Sequence, residues 1–156
     1  MAQRACELVL AKRHEKNLVS IGAVEIDNVG YRFIVGMHVA FFVSLILEKS
    51  IFRTTLSEWW IILFMIFCAA QILRYWAMVT LGTYWNTKVL ITPRRPLLKT
   101  GPYKILRHPN YVAVITELAV IPLIFSCYIT SIGFTILNAF IIRRRIRIET
   151  QALTTR

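Results

Sequence analysis

Between Trp59 and Leu81 the chain carries a single charged residue, Arg74, and this stretch limits the fold more than any other. At about 1.5 Å per residue, a helix of that length exceeds the ~30 Å hydrocarbon thickness of a bilayer. Trp59-Trp60 at one end and Tyr75-Trp76 towards the other match the aromatic belts found where hydrocarbon meets headgroups. Further apolar blocks run from Phe33 to Leu47, bounded by Arg32 and Glu48, from Tyr111 to Phe125, and from Ile132 to Ile142 after a tight turn at Ser126 to Ser131. With 56% hydrophobic residues among 156, one domain's length of chain, these blocks predict an all-α integral membrane protein with about four transmembrane helices. The last two blocks are shorter than the ~20 residues of a full crossing, which predicts a short helical hairpin, tilted or partly re-entrant.

Charge sets the orientation. Arg4, Lys12, Arg13, Lys16 and Arg32 precede the first block, and only Lys49 and Arg53 separate it from the second. Lys88, Arg94, Arg95, Lys99, Lys104 and Arg107 follow the second, none separates the third from the fourth, and Arg143, Arg144, Arg145, Arg147 and Arg156 close the chain. The excess of basic residues in cytoplasmic loops predicts a multi-pass protein with both ends and the long loop from Gly82 to Asn110 in the cytoplasm. The formal charge of +11 is thus spread over loops, and without a basic-aromatic module it argues against nucleic acid as a partner. The lipid bilayer is the partner expected instead.

Residues 1 to 32 are polar and mixed in charge, which predicts a helix at the membrane surface or the tail of a preceding helix. The apolar run Leu8 to Ala11 is too short for a cleavable signal peptide. Cys6, Cys68 and Cys127 are far apart and have neither disulfide nor metal-ligand spacing, so they read as small hydrophobes and no metal site is expected.

The string Gly101-Pro102-Tyr103-Lys104-Ile105-Leu106-Arg107-His108-Pro109-Asn110-Tyr111 is unlike a plain lipid-facing helix start. Gly101-Pro102 predicts a turn, and Pro109 disfavours helical dihedrals at His108 while suiting the first turn of a helix. Irregular backbone at membrane depth persists only where protein buries it or where it lines a cavity. The free N–H groups of the helix start can take a carboxylate, His108 and Tyr111 can hydrogen-bond, and tyrosine rings offer a face to an adenine or a sulfonium cation. Interfacial anchoring accounts for a tyrosine and an arginine, not for the whole string.

Arg145 and Glu149 are four apart and share a helix face, although a basic cluster after a membrane helix is also a routine topology signal. Glu117 lies roughly 13 Å along its helix from His108. At that depth it faces a cavity, pairs with a cation or is protonated. Arg74 either snorkels to the interface or pairs with Glu117. His38 reads as a hydrogen-bonded packing residue.

These constellations, in this order, resemble the isoprenylcysteine carboxyl methyltransferase family of integral-membrane enzymes. The likeness spans nearly the whole chain: Leu-Gly-Thr-Tyr-Trp-Asn-Thr-Lys-Val at 81–89, Pro96-Leu97-Leu98, Gly-Pro-Tyr, Arg-His-Pro-Asn-Tyr, and Arg-Ile-x-x-Glu-x-x-x-Leu from Arg145 to Leu153. Ala11-Lys12-Arg13, Gly22-Ala23-Val24-Glu25 and Glu117 to Leu123 look most like short bacterial members that O-methylate long-chain alkylpyrones or alkylresorcinols. The resemblance implies S-adenosyl-L-methionine as cofactor, held by Lys88, Arg95, Pro96, Leu97, Leu98, Tyr103, His108, Pro109, Asn110, Tyr111 and Glu149, with Arg145 engaging a lipophilic small-molecule or prenylated acceptor. The cofactor and catalytic part would be residues 82–156. Two departures stand out: the family's paired glutamates are here Glu149-Thr150, and relatives often begin with another membrane helix, which would end near Leu10.

An ionised carboxylate or enol needs no general base, whereas a phenol does, and His108 and Glu117 are the candidates. Arg145 and Glu117 are the residues expected to carry catalysis. The competing classes are an NADPH-dependent membrane sterol-type reductase, which shares the His-Pro-x-Tyr feature, a phospholipid N-methyltransferase, and a membrane scaffold without catalysis.

Overall fold

A computed structural model describes the backbone of residues 2–88, 90–91 and 100–154, and the side chains of 11–27, 30–88, 90 and 100–151. Five helices make up most of it: α1 (Ala2–Ser20), α2 (Asn28–Phe52), α3 (Trp60–Leu81), α4 (Pro109–Ile124) and α5 (Tyr128–Thr154). The expected long loop contains two short 3-10 turns, Gly82–Tyr84 and Gly101–Lys104, and a strand β2 (Leu90–Ile91) that pairs antiparallel with β1 (Val24–Glu25), Val24 opposite Ile91. The all-α expectation thus holds apart from this two-residue ribbon, which ties the segment before α2 to the loop after α3.

Two helices are long and apolar enough to cross a membrane, Gly30–Phe52 and Trp60–Tyr84, and Pro109–Ile124 is apolar but shorter. Only 17% of each long apolar window is buried. A core helix of a water-soluble protein would be mostly covered. Here Phe33, Ile46, Ile51, Ile72 and Val79 project outwards at 64% exposure or more, as side chains solvated by lipid do. The fourth block differs most from expectation. Its helix starts at Tyr128, inside the predicted turn, and runs on through Arg143–Arg147 to Thr154. Loss of hydropathy ends a membrane crossing but not a hydrogen-bonded helix, and the 27 residues of α5 reach about 40 Å.

Both ends of α2 hold α5. Asp27, the N-cap of α2, accepts from Gly30 N at 3.0 Å and takes both guanidinium nitrogens of Arg144 at 3.2 Å. Gly30 is needed there, because a Cβ would lie 1.9 Å from Asp27 Oδ2 and 2.7 Å from Arg144 Nη1. At the other end the buried Glu48 carboxylate accepts from Ile129 N at 3.0 Å and Thr130 N at 2.7 Å. It satisfies amides that the start of a helix leaves open, and Ser44 bonds Thr130 alongside. Between these clamps Met37, Phe41 and Leu118 form a core with Phe134 and Ile141, Phe41 meeting Phe134 edge-on at 5.6 Å.

A smaller core joins Leu18, Ala23 and Leu90, with Tyr84 against it. The His14 ring donates to Trp85 O at 3.1 Å. α1 is therefore packed onto the loop rather than lying apart from it.

Removing the Glu48 acceptor leaves the part-buried Ile129 N–H and the buried Thr130 N–H without this partner, and an unsatisfied buried donor costs about 1–3 kcal/mol. Glu48→Ala is expected to lower the unfolding temperature in detergent markedly, and Glu48→Gln, which keeps one carbonyl oxygen, to lower it less. Equal stability of Glu48→Ala and the parent would show that α5 does not depend on this cap.

Candidate functional site

Pro109 occupies the first turn of α4, and His108 before it lies outside the helical region at φ −135°, ψ 66°, the region that a following proline disfavours. His108 O accepts from Tyr111 N and Val112 N, so the tight entry brings the two rings together. They stack with centroids 5.1 Å apart and 15° between planes. The predicted turn at Gly101 forms as a 3-10 helix with Gly101 at φ +56°. A Cβ there would sit 2.5 Å from Thr80 Oγ1, so the glycine lets the turn close on the end of α3.

α5 returns antiparallel to α4 and presents Arg145 and Glu149 to this aromatic pair. Tyr111 Oη donates to Glu149 Oε2 over a long 3.5 Å, and His108 Nδ1 lies 3.9 Å from the same oxygen. The Arg145 guanidinium carbon is 5.8 Å from the Tyr111 ring centre, and its Nη2 donates to Thr87 O. His108, Tyr111, Arg145 and Glu149 thus form one cluster at the end of the bundle where α3 ends and α4 begins. The His108 and Glu149 side chains remain 30% and 24% exposed, open enough to admit a ligand. Pro109 is buried beneath them, and Asn110 and Tyr103 are half-buried. Arg95, Pro96, Leu97 and Leu98 lie outside the described residues.

Lys88 sits elsewhere, in a local charge network. Its ammonium bonds Glu15 at 2.6 Å and Glu25 at 3.0 Å and lies 5.7 Å from the Tyr31 ring centre. The hydrogen bond to Glu15 holds its pKa above the usual lysine value of 10.5, outweighing burial and helped by Glu25. A cleft of about 550 Å³ opens here between α1 and the loop, bordered by Lys12, Lys16, Tyr31, Thr87 and Lys88.

Glu117 is buried between α3 and α4. It accepts from Gln71 Nε2 at 2.8 Å and pairs with Arg74 at 2.8 Å, the two charged side chains being 6% and 1% exposed. Of the alternatives open for Arg74, pairing is the one adopted. The structure brings Glu117 to Arg74 and not to Arg145 or Glu149. His38 donates to Ile34 O at 2.8 Å, the packing role expected of it.

Several residues had escaped sequence reasoning. Asp27 carries a readable signal, an N-cap residue just before an apolar helix. Glu15, Glu25, Gln71 and Glu48 carry none, since each partner is distant in sequence. Trp85, Asn86 and Thr87 lie in the 81–89 string, yet nothing local assigns them individual roles.

A helical bundle with lipid-type outer faces and a polar cluster at one end is the build of a membrane protein. The sequence profile of the isoprenylcysteine carboxyl methyltransferase (ICMT) family matches residues 60–155, which includes α3, α4, α5 and every residue of the cluster. The chain belongs to this family, and membership implies methyltransferase activity in a membrane protein. An uncharacterized protein of Bacillus subtilis, YpbQ, is 42% identical over 153 residues, covering 98% of this chain and 91% of its own. An uncharacterized protein of Haemophilus influenzae is 26% identical over 155 residues, covering 99% and 90%. No solved structure matches the chain.

Two predictions follow from the charged pairs. Leaving Arg74 buried without its partner is expected to cost about 3–5 kcal/mol, so Glu117→Ala should be far less stable than the double variant Arg74→Met/Glu117→Leu. A double variant no more stable than Glu117→Ala would mean that the carboxylate does more than neutralise Arg74. For Lys88, the stability gained from its raised pKa is present in full below about pH 10.5 and is lost as pH climbs through the folded-state value. Unfolding temperature should therefore fall in strongly alkaline buffer, and Lys88→Met should lose that alkaline component.

Proposed function

We propose that the protein is an S-adenosyl-L-methionine-dependent O-methyltransferase acting on a lipophilic acceptor, either a prenylcysteine-type carboxylate or the hydroxyl of a long-chain alkylpyrone or alkylresorcinol. The observation that carries this reading is the convergence of His108, Tyr111, Arg145 and Glu149 from two helices, all within the family match. The residues fit the cofactor. Among the described residues Glu149 makes only the 3.5 Å and 3.9 Å polar contacts, leaving carboxylate lone pairs for a ribose or for the cofactor's positive charge. The stacked rings offer a flat face, and the start of α4 attracts a carboxylate.

When bound, S-adenosylmethionine supplies an electrophilic methyl group on a cationic sulfur. The protein's task is to align the acceptor oxygen with that methyl and to exclude water, since proximity supplies much of the rate in such displacements. Arg145 holds the acceptor oxygen as an anion. It is kept in place by Thr87 O and the Tyr111 ring, so little reorganisation accompanies reaction. Glu149 and the His108–Tyr111 pair hold the donor side. A carboxylate or ionised enol then reacts without a general base; a phenol draws on His108, the imidazole of the cluster. Glu117 acts from a distance in this scheme, by fixing α3 against α4. All four helices α2 to α5 cross the bilayer with the cluster on the cytoplasmic side, in line with the charge distribution. The acceptor's alkyl chain enters from the lipid and the cofactor from water.

Calorimetry on detergent-purified protein tests the reading. Saturable binding of S-adenosylmethionine is expected, weakened at least about tenfold in His108→Ala and Glu149→Ala, a loss of ~1.4 kcal/mol or more. Arg145→Ala should retain cofactor binding and lose about 100-fold in methyl transfer, the scale of removing one preorganised charge-stabilising donor. Binding of NADPH in place of S-adenosylmethionine would move the chain to the reductases, and full transfer by Arg145→Ala and His108→Ala would overturn the assignment of the site.

A further inference from the structure

The methyltransferase reading gives the acceptor one contact, Arg145, and the structure supplies material for a second. Arg145 Nη2 is committed to Thr87 O, yet Arg145 Nε is buried with no hydrogen-bond partner. One residue before Thr87, Asn86 Nδ2 is likewise buried and unpartnered, as is the indole Nε1 of Trp85, a residue 4% exposed. Buried N–H groups are nearly always satisfied, and an exception in a native fold calls for an explanation such as a missing ligand. Three exceptions gathered on Arg145 and the short segment it touches, all of them donors, call for a ligand that accepts.

The direction of the Asn86 amide is fixed by its other end. Its Oδ1 accepts from Lys88 N at 2.8 Å, so the hydrogen-bond network assigns the oxygen to that side and the NH₂ to the other. The segment is held on both flanks as well. Trp85 O is bonded to His14, the Lys88 side chain to Glu15 and Glu25, and Leu90 is paired with Glu25 in the ribbon. Glu25 Oε1, an unpartnered acceptor nearby, belongs to a carboxylate already neutralised by Lys88. The segment is therefore held in place, and none of the three donors is bonded to Glu25 Oε1.

We infer that Asn86 is an acceptor-binding residue, its side-chain NH₂ and Arg145 Nε together receiving the oxygen to be methylated or its neighbour on the same group. The inference rests on the methyltransferase reading and adds to it a second point of attachment. Two donors on one carboxyl or enolate fix its rotation as well as its position, which a single guanidinium contact does not. The methyl-receiving lone pair is thereby turned towards the donor side of the site.

Asn86→Asp and Asn86→Ala separate this role from a structural one. Aspartate keeps the oxygen that Lys88 N–H needs and is a good residue for such a turn, but it replaces the donor by an oxygen that repels an anion. Alanine removes both. In the full chain reconstituted in nanodiscs, the measurements are S-adenosylmethionine affinity and the KM and kcat of labelled-methyl transfer to an N-acetylated S-farnesylcysteine and to a long-chain hydroxypyrone. Equilibrium binding of the same two probes gives a readout that does not require turnover. Asn86→Asp is expected to raise KM, or weaken binding, of the accepted probe at least tenfold, with cofactor affinity within twofold of the parent. A structural role predicts instead that Asn86→Asp behaves like the parent and that only Asn86→Ala is impaired, and this outcome overturns the inference. Equal loss of cofactor affinity would also overturn it, by placing Asn86 on the donor side. Absence of S-adenosylmethionine binding by the parent overturns the methyltransferase reading and this assignment together, whereas normal transfer with unchanged acceptor affinity in Asn86→Asp overturns this assignment alone.

Discussion

The grip of α2 on α5 is the constraint on which the rest depends. Asp27 binds Arg144 near the C-terminal half of α5, and Glu48 caps its first turn. A helix is rigid over such a length, so fixing its first turn and Arg144 fixes its rotation and its height. Arg145 follows Arg144 by one residue and therefore points about 100° around the helix, towards α4 and Tyr111. Glu149, one turn on, lies on the same face. In a bilayer, where apolar packing between helices gains little over packing against lipid, polar contacts of this kind carry much of the specificity of assembly. Both clamps use carboxylates with both oxygens hydrogen-bonded, as burial of a charged group demands.

A second polar layer lies deeper. Arg74, Gln71 and Glu117 join α3 to α4 away from the site cluster. A glutamate and an arginine so far from water would each be costly alone, and together they fix the register of the two helices more sharply than aliphatic contacts could. The entry to α4, with Pro109 buried and His108 stacked on Tyr111, inherits its position from that register. The same end of the molecule also receives α1 and the β1–β2 ribbon. They hold the segment of Trp85 to Lys88 against Arg145.

Much of this was legible in the sequence, for identifiable reasons. Hydropathy located α3 and α4 closely and the middle of α2, which extends five residues further at each end than its expected block, because membrane crossing demands continuous apolar runs. The turn at Gly101 and the helix start at Pro109 followed from restrictions that proline and glycine impose on their own neighbours. Helix periodicity placed Arg145 and Glu149 on one face. The extension of α5 through its arginines escaped a reading tied to hydropathy, since hydrogen bonding along the helix continues where apolarity stops. The ribbon escaped it because two-residue strands leave no alternation to detect.

The sequence by itself determined that the chain is helical and membrane-directed, where α3 and α4 start, and which family it belongs to, because those properties rest on local sterics, on transfer of side chains into hydrocarbon and on motif order. Tertiary structure alone decided which charges meet. Lys88 went to Glu15 and Glu25, Arg74 to Glu117, Arg144 to Asp27, and Arg145 to the Thr87 carbonyl beside Tyr111. Neighbouring arginines with the same intrinsic chemistry, Arg144 and Arg145, received opposite assignments, one structural and one facing the site. The physical reason is that a cation's partner is set by distances between helices far apart in sequence, and those distances exist only once the bundle has closed.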